Sequence, residues 1–136
     1  MLLFRWYSAE DSSRVRALRE LYRKSSSREA RGLRLLRGWL SPAQRAQFDA
    51  ERYFDVIGCD SGKRYRIHYR TTTNVHELDD AGSLKVGWCF APVGQLAAGD
   101  VMLAQKIALE TNERGALAVA NTFRPKVELR RPRMGY

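Results

Sequence analysis

Tyr53-Phe54-Asp55-Val56-Ile57-Gly58-Cys59-Asp60-Ser61-Gly62-Lys63-Arg64-Tyr65-Arg66-Ile67-His68-Tyr69-Arg70 is where the chain changes its period. Before it, apolar residues recur every three to four positions. Within it they alternate, Phe54 and Val56 to one side and Tyr53, Asp55 and Ile57 to the other. Tyr65, Ile67 and Tyr69 then oppose Arg64, Arg66, His68 and Arg70. Period two predicts strands, and Gly58 to Gly62 has the composition of a hairpin turn.

Upstream, Ser41-Pro42-Ala43-Gln44 combines an N-cap serine, proline at the first helical position and glutamine at the third, which predicts a short helix from Pro42 to about Glu51. Val15, Leu18, Leu21 and Tyr22 predict a helix over residues 9 to 24. Leu33, Leu36 and Leu40 predict another over 28 to 40, with Ser25-Ser26-Ser27 breaking or kinking the chain between them. Downstream, a third strand takes in Val75 and Leu78, and a fourth presents Leu84, Val86, Trp88 and Phe90. Asp100 is expected to cap a helix running to about 112, with a helical turn at 115 to 121. The order predicts an α+β fold: Arg-rich N-terminal helices, a small antiparallel sheet of three or four strands, and a covering C-terminal helix.

Charge divides the chain in the same places. Of 136 residues with net charge +9, segment 1–40 carries ten Arg or Lys against four acids. Segment 41–121 carries nine against ten, and segment 122–136 carries five against one. The expected organisation is a basic helical segment (1–40), an α+β core (41–121) and a basic tail (122–136) without a packed core of its own. Excess positive charge at the ends is the electrostatic footprint of a polyanion binder. Phosphate contacts are expected from Arg14, Arg16, Arg19, Arg28, Arg31, Arg34 and Arg37 on the helices. Arg64, Arg66 and Arg70 extend that surface on the strand face, where Tyr53 suits base stacking. Arg130, Arg131 and Arg133 form an arm in the tail.

Chemistry finds less support. Gly58 to Lys63 looks like a phosphate loop but has three residues between its glycines, and Arg64 where a P-loop needs Ser or Thr. Cys59, His68, His76 and Cys89 lack the short spacing that holds zinc, and nothing in the sequence pairs a cysteine with a histidine base. No catalytic residue, metal ligand or cofactor is expected. Two cysteines make no disulfide framework, and no stretch reads as a signal peptide or membrane span, so a cytoplasmic protein is expected.

Residues 39–121 resemble a group of small, uncharacterised bacterial proteins. The residues that carry this are the Tyr53-Phe-Asp-Val-Ile-Gly strand, Ser61-Gly62-x-x-Tyr65-x-Ile67, Trp88-Cys89-Phe90 and Asp100-x-Met102-Leu103-Ala104-Gln105-Lys106. The resemblance implies a bacterial or phage-related source and transfers no activity. The expected function is non-catalytic nucleic-acid binding. The alternative is an accessory subunit whose Arg-rich amphipathic helices dock on an acidic protein. A basic helix of this kind also suits an anionic membrane surface.

Overall fold

The computed structural model describes residues 9–94 and 96–125. Helix α1 spans Ala9–Trp39, α2 Pro42–Glu51 and α3 Ala98–Val119; strands β1 to β5 span Tyr53–Ile57, Arg64–His68, Val75–Leu78, Leu84–Cys89 and Asn121–Phe123. The strands form one antiparallel sheet in sequence order. The fold is α+β as expected, with five strands rather than three or four. The fifth lay hidden in the segment read as a tail, where Thr122 pairs with Trp88 and Phe123 with Gly87.

Two further expectations change. Ser25-Ser26-Ser27 does not interrupt α1, which runs unbroken for 31 residues. Serine costs a helix interior only about 0.5 kcal/mol per residue relative to alanine, and good helix formers flank the run. Asp100 is not the cap of α3: the helix begins at Ala98, after Ala97, and Asp100 sits in its first turn. The same helix passes the expected end at 112, breaking step at Asn112 (φ −153°, ψ 57°) and resuming to Val119.

The short helix is as read. The Ser41 side chain accepts from the Gln44 amide at 3.1 Å, and Gln44 Oε1 accepts from the Ser41 amide at 3.0 Å. Arg52 then closes α2 in the left-handed region, at φ 61°.

All three helices lie on one face of the sheet. Phe54, Val56, Tyr65, Ile67 and Val75 meet Leu36 and Leu40, Phe48 of α2, and Met102, Leu103 and Leu109 of α3 in one buried cluster. The segment 1–40 therefore shares its core with 41–121. Asn74 and Gln105 exchange hydrogen bonds at 2.7 and 2.9 Å inside it, and Gln105 also donates to the Phe90 carbonyl at 2.8 Å. A fully satisfied pair of buried amides fixes how β3 sits on α3. At the far end α3 meets α1 backbone to backbone: a Cβ at Gly99 would overlap the Gly32–Leu33 peptide. Glycine is there because two helices cross with no room between them. Among the described residues no helix is long and apolar enough to cross a membrane.

Candidate nucleic-acid interface

Helix α1 leaves the body of the protein. Among the described residues Gly32 is its first buried one, and Glu29 is tied to the body, its carboxylate accepting from the Tyr69 hydroxyl at 3.1 Å. From Ser13 to Arg28 every residue whose side chain is described is exposed. At 1.5 Å per residue the part of α1 before Glu29 is about 30 Å long.

Arg14, Arg16, Arg19, Arg28, Arg31 and Arg34 are all exposed on this helix, joined by Arg23 and Lys24. No salt bridge reaches them among the described residues. Helical spacing turns Arg16, Arg23, Lys24, Arg31 and Arg34 to the side away from Leu36, so they point outward from the body. Arg19 and Arg28 lie at the edges of that outer side, and Arg14 falls on the inner side, about 40° from the direction of Leu36. Arg37, in the last turn of α1, is engaged with Asp49 of α2.

The strand arginines stand elsewhere. Strand alternation puts Arg64 and Arg66 on the sheet face opposite the helices. They and the α1 cations thus lie on opposite sides of the protein and form no single surface. Arg66 is also spoken for: Nε and Nη2 donate to both Asp55 oxygens at 2.9 and 3.2 Å, and its guanidinium sits 4.1 Å from the centre of the Tyr53 ring. Its Asp55 hydrogen bonds raise its pKa further. With Arg66 over it, Tyr53 presents no free upper face for a base. Arg64 and Arg70 remain exposed. Arg130, Arg131 and Arg133 lie outside the described residues.

That open sheet face carries a row the sequence reading missed. Tyr53, His68, His76 and Phe123 meet edge to face, their centroids 5.3, 5.1 and 5.2 Å apart, one ring from each of four strands. Gly87 lies beneath Phe123, and any Cβ there would strike the ring. His68 Nε2 and His76 Nδ1 are buried without a hydrogen-bond partner. Burial lowers the His68 pKa to about 4, helped by His76 and the Arg66 and Arg70 charges; burial and Arg70 lower that of His76. Both rings are therefore neutral at pH 7, and they form a packed layer rather than a cationic one. The period-two pattern put His68 on this face but assigned none to His76, and only pairing with β5 brings Phe123 over it.

The turn that looks like a phosphate loop does hold an anion, the protein's own. Glu113 is buried against Gly58, and its carboxylate accepts from the amides of Asp60 (2.9 Å) and Ser61 (2.8 Å), the Ser61 hydroxyl (2.5 Å) and the Tyr65 hydroxyl (2.6 Å). Burial alone would raise its pKa, but those hydrogen bonds outweigh it and hold the carboxyl at about 2. Tyr65 is pushed up by burial and by that same carboxylate. In return the turn caps the helix after the kink: Cys59 Sγ accepts from the Glu113 amide (3.4 Å) and Asp60 from that of Arg114 (3.0 Å), while Asn112 takes that of Gly115 (3.3 Å). A cradle already filled and tied to a helix start is structural. Among the described residues no three His, Cys, Asp or Glu side chains group as a metal site requires.

Comparison with protein-family models, curated proteins and solved structures finds no match. None carries the resemblance of residues 39–121 further.

Proposed function

We propose that this protein is a non-catalytic nucleic-acid binder that grips the phosphate backbone with α1. The observation that carries the reading is the outer side of that helix: Arg16, Arg23, Lys24, Arg31 and Arg34 project from the body without an acidic neighbour within ion-pair distance among the described residues. Such cations gain little by facing water. Facing a polyanion, each phosphate they neutralise releases counterions and adds to affinity. Guanidinium forks suit phosphate oxygens, and contacts to phosphate carry no base preference. Arg19 and Arg28 extend the reach at the edges of the helix, whereas Arg37 and Arg66 already serve Asp49 and Asp55.

The test is fluorescence anisotropy of the full-length protein with labelled single- and double-stranded DNA and RNA at about physiological salt. Binding that the Arg16→Glu/Arg23→Glu/Arg31→Glu variant loses supports the reading, and the strand preference names the substrate. No binding of any of the four probes refutes it.

A further inference from the structure

The apolar side of α1 has a pattern that phosphate binding does not use. Leu33, Leu36 and Leu40 form the line by which the end of α1 packs on the body. Val15, Leu18 and Tyr22 precede them by 18 residues each, which is about five complete turns, so the two triads share one direction. The lower triad is covered. The upper one is not: Leu18 is 65% exposed and Tyr22 77%, with Leu21 beside them at 63%. Helix α3, which covers the lower half, starts only at Ala98, level with Gly32, and Leu96 just before it is itself partly exposed.

The stripe runs down to where Ala97 and Gly99 at the start of α3 close on Gly32, so α1 stands as a wall above the start of α3. This shape selects among occupants. A flat lipid surface laid on Leu18 would run into the body below Glu29, because the stripe faces the way the body lies. A helix about 10 Å across fits, standing in line with α3 at the usual spacing of about 8–10 Å from α1. Charge selects further. Between Ser13 and Arg31 the helix carries seven cations against Glu20 and Glu29. Arg14 and Arg28 border the stripe on one side and Arg19 on the other. A second copy of α1 would bring like charge to those borders, and an acidic helix would bring the opposite.

We infer that the inner face of α1, from Val15 to Tyr22, docks an acidic amphipathic helix of another protein, its leucine-type residues on Val15, Leu18 and Tyr22 and its carboxylates on Arg14, Arg19 and Arg28. Buried aromatic and arginine positions are where such interfaces concentrate their affinity. The inference is separable from nucleic-acid binding, which rests on Arg16, Arg23, Lys24, Arg31 and Arg34 on the outer side and shares with it only the border arginines.

The probe is a labelled 18-residue peptide with leucine at helical i, i+3, i+4, i+7 spacing and glutamate and alanine elsewhere, titrated against the full-length protein at 150 mM salt. A control peptide replaces each leucine by serine. The inference predicts binding of the leucine peptide at least tenfold tighter than the control. Leu18→Ser/Tyr22→Ser should remove at least tenfold of that affinity. Peptide binding indifferent to Leu18→Ser/Tyr22→Ser overturns it. So does a dimer of the unmodified protein in sedimentation that this pair of substitutions dissolves, or binding to anionic phosphatidylserine vesicles that the pair abolishes. Nucleic-acid affinity, read in parallel, should follow the triple variant and ignore the double one, so the two proposals fail separately.

Discussion

Leu18 and Leu36 point the same way from α1, five turns apart, yet Leu36 is fully buried and Leu18 is 65% exposed. One residue type in one orientation on one helix thus does two jobs. Leu36→Ala leaves a hole in the core and should cost about 2–5 kcal/mol of unfolding free energy. Leu18→Ala loses no covered contact within the described protein and should stay within about 0.5 kcal/mol. Urea unfolding of the two variants checks this, and equal losses would mean that Leu18 is covered.

Arg66 and Arg16 separate structure from binding in the same manner. Arg66→Ala strips Asp55 of both its guanidinium hydrogen bonds and uncovers Tyr53, so it should destabilise by about 1–3 kcal/mol while leaving nucleic-acid affinity almost unchanged. Arg16→Ala should do the reverse, with stability held and affinity reduced. Paired melts and anisotropy titrations read both quantities.

Glu113 makes stability depend on acid. Its folded pKa lies near 2, against an ordinary value of 4.5. Its contribution is complete above pH 4.5, where the unfolded carboxyl is also ionised. It fades as pH falls from 4.5 toward 2, by about 3 kcal/mol in all. His68 adds to this from higher pH: with its folded pKa near 4 and an ordinary 6.5, the unfolded chain binds the proton first, so stability declines as pH drops from 6.5 to 4. Glu113→Gln should flatten the lower part of that curve and cost stability at pH 7, because an amide –NH2 cannot accept from the donors that hold one of the carboxylate oxygens. Chemical denaturation at a series of pH values between 2 and 7 checks the sign and the window.

Gly99→Ala tests the crossing of α1 and α3. Alanine favours an isolated helix by up to about 1 kcal/mol, but here its methyl would meet the Gly32–Leu33 backbone, which cannot rotate aside. Overpacking should win, with a net loss of about 1–3 kcal/mol. A variant as stable as the parent would mean that the helices do not touch there.

Much of this was legible in the residues because local rules and tertiary demands agree. Alternation at Phe54, Val56, Tyr65 and Ile67 gave the hairpin and its buried face, and Ser41 to Gln44 gave the start of α2. The misreadings have physical causes. Three serines suggested a break, but the apolar positions keep phase across them, from Tyr22 to Leu33, and phase is the stronger sign of one helix. Asn121–Phe123 is too short to show a period, and becomes a strand only because β4 offers it an open edge. The arginines of the site split for a reason sequence spacing does not contain. Arg66 had an acid directly across the hairpin at Asp55, whereas the outer α1 cations have no acid within ion-pair distance among the described residues.

The most direct measurement is the salt dependence of nucleic-acid binding by the full-length protein and its Arg16→Glu/Arg23→Glu/Arg31→Glu variant. If Arg16, Arg23, Lys24, Arg31 and Arg34 each neutralise one phosphate of a duplex, log affinity should fall with log salt at a slope of about −4 to −5. The variant should lose roughly three units of slope and most of its affinity. A slope unchanged in the variant would contradict the account, because the phosphates would then be held somewhere other than the outer side of α1.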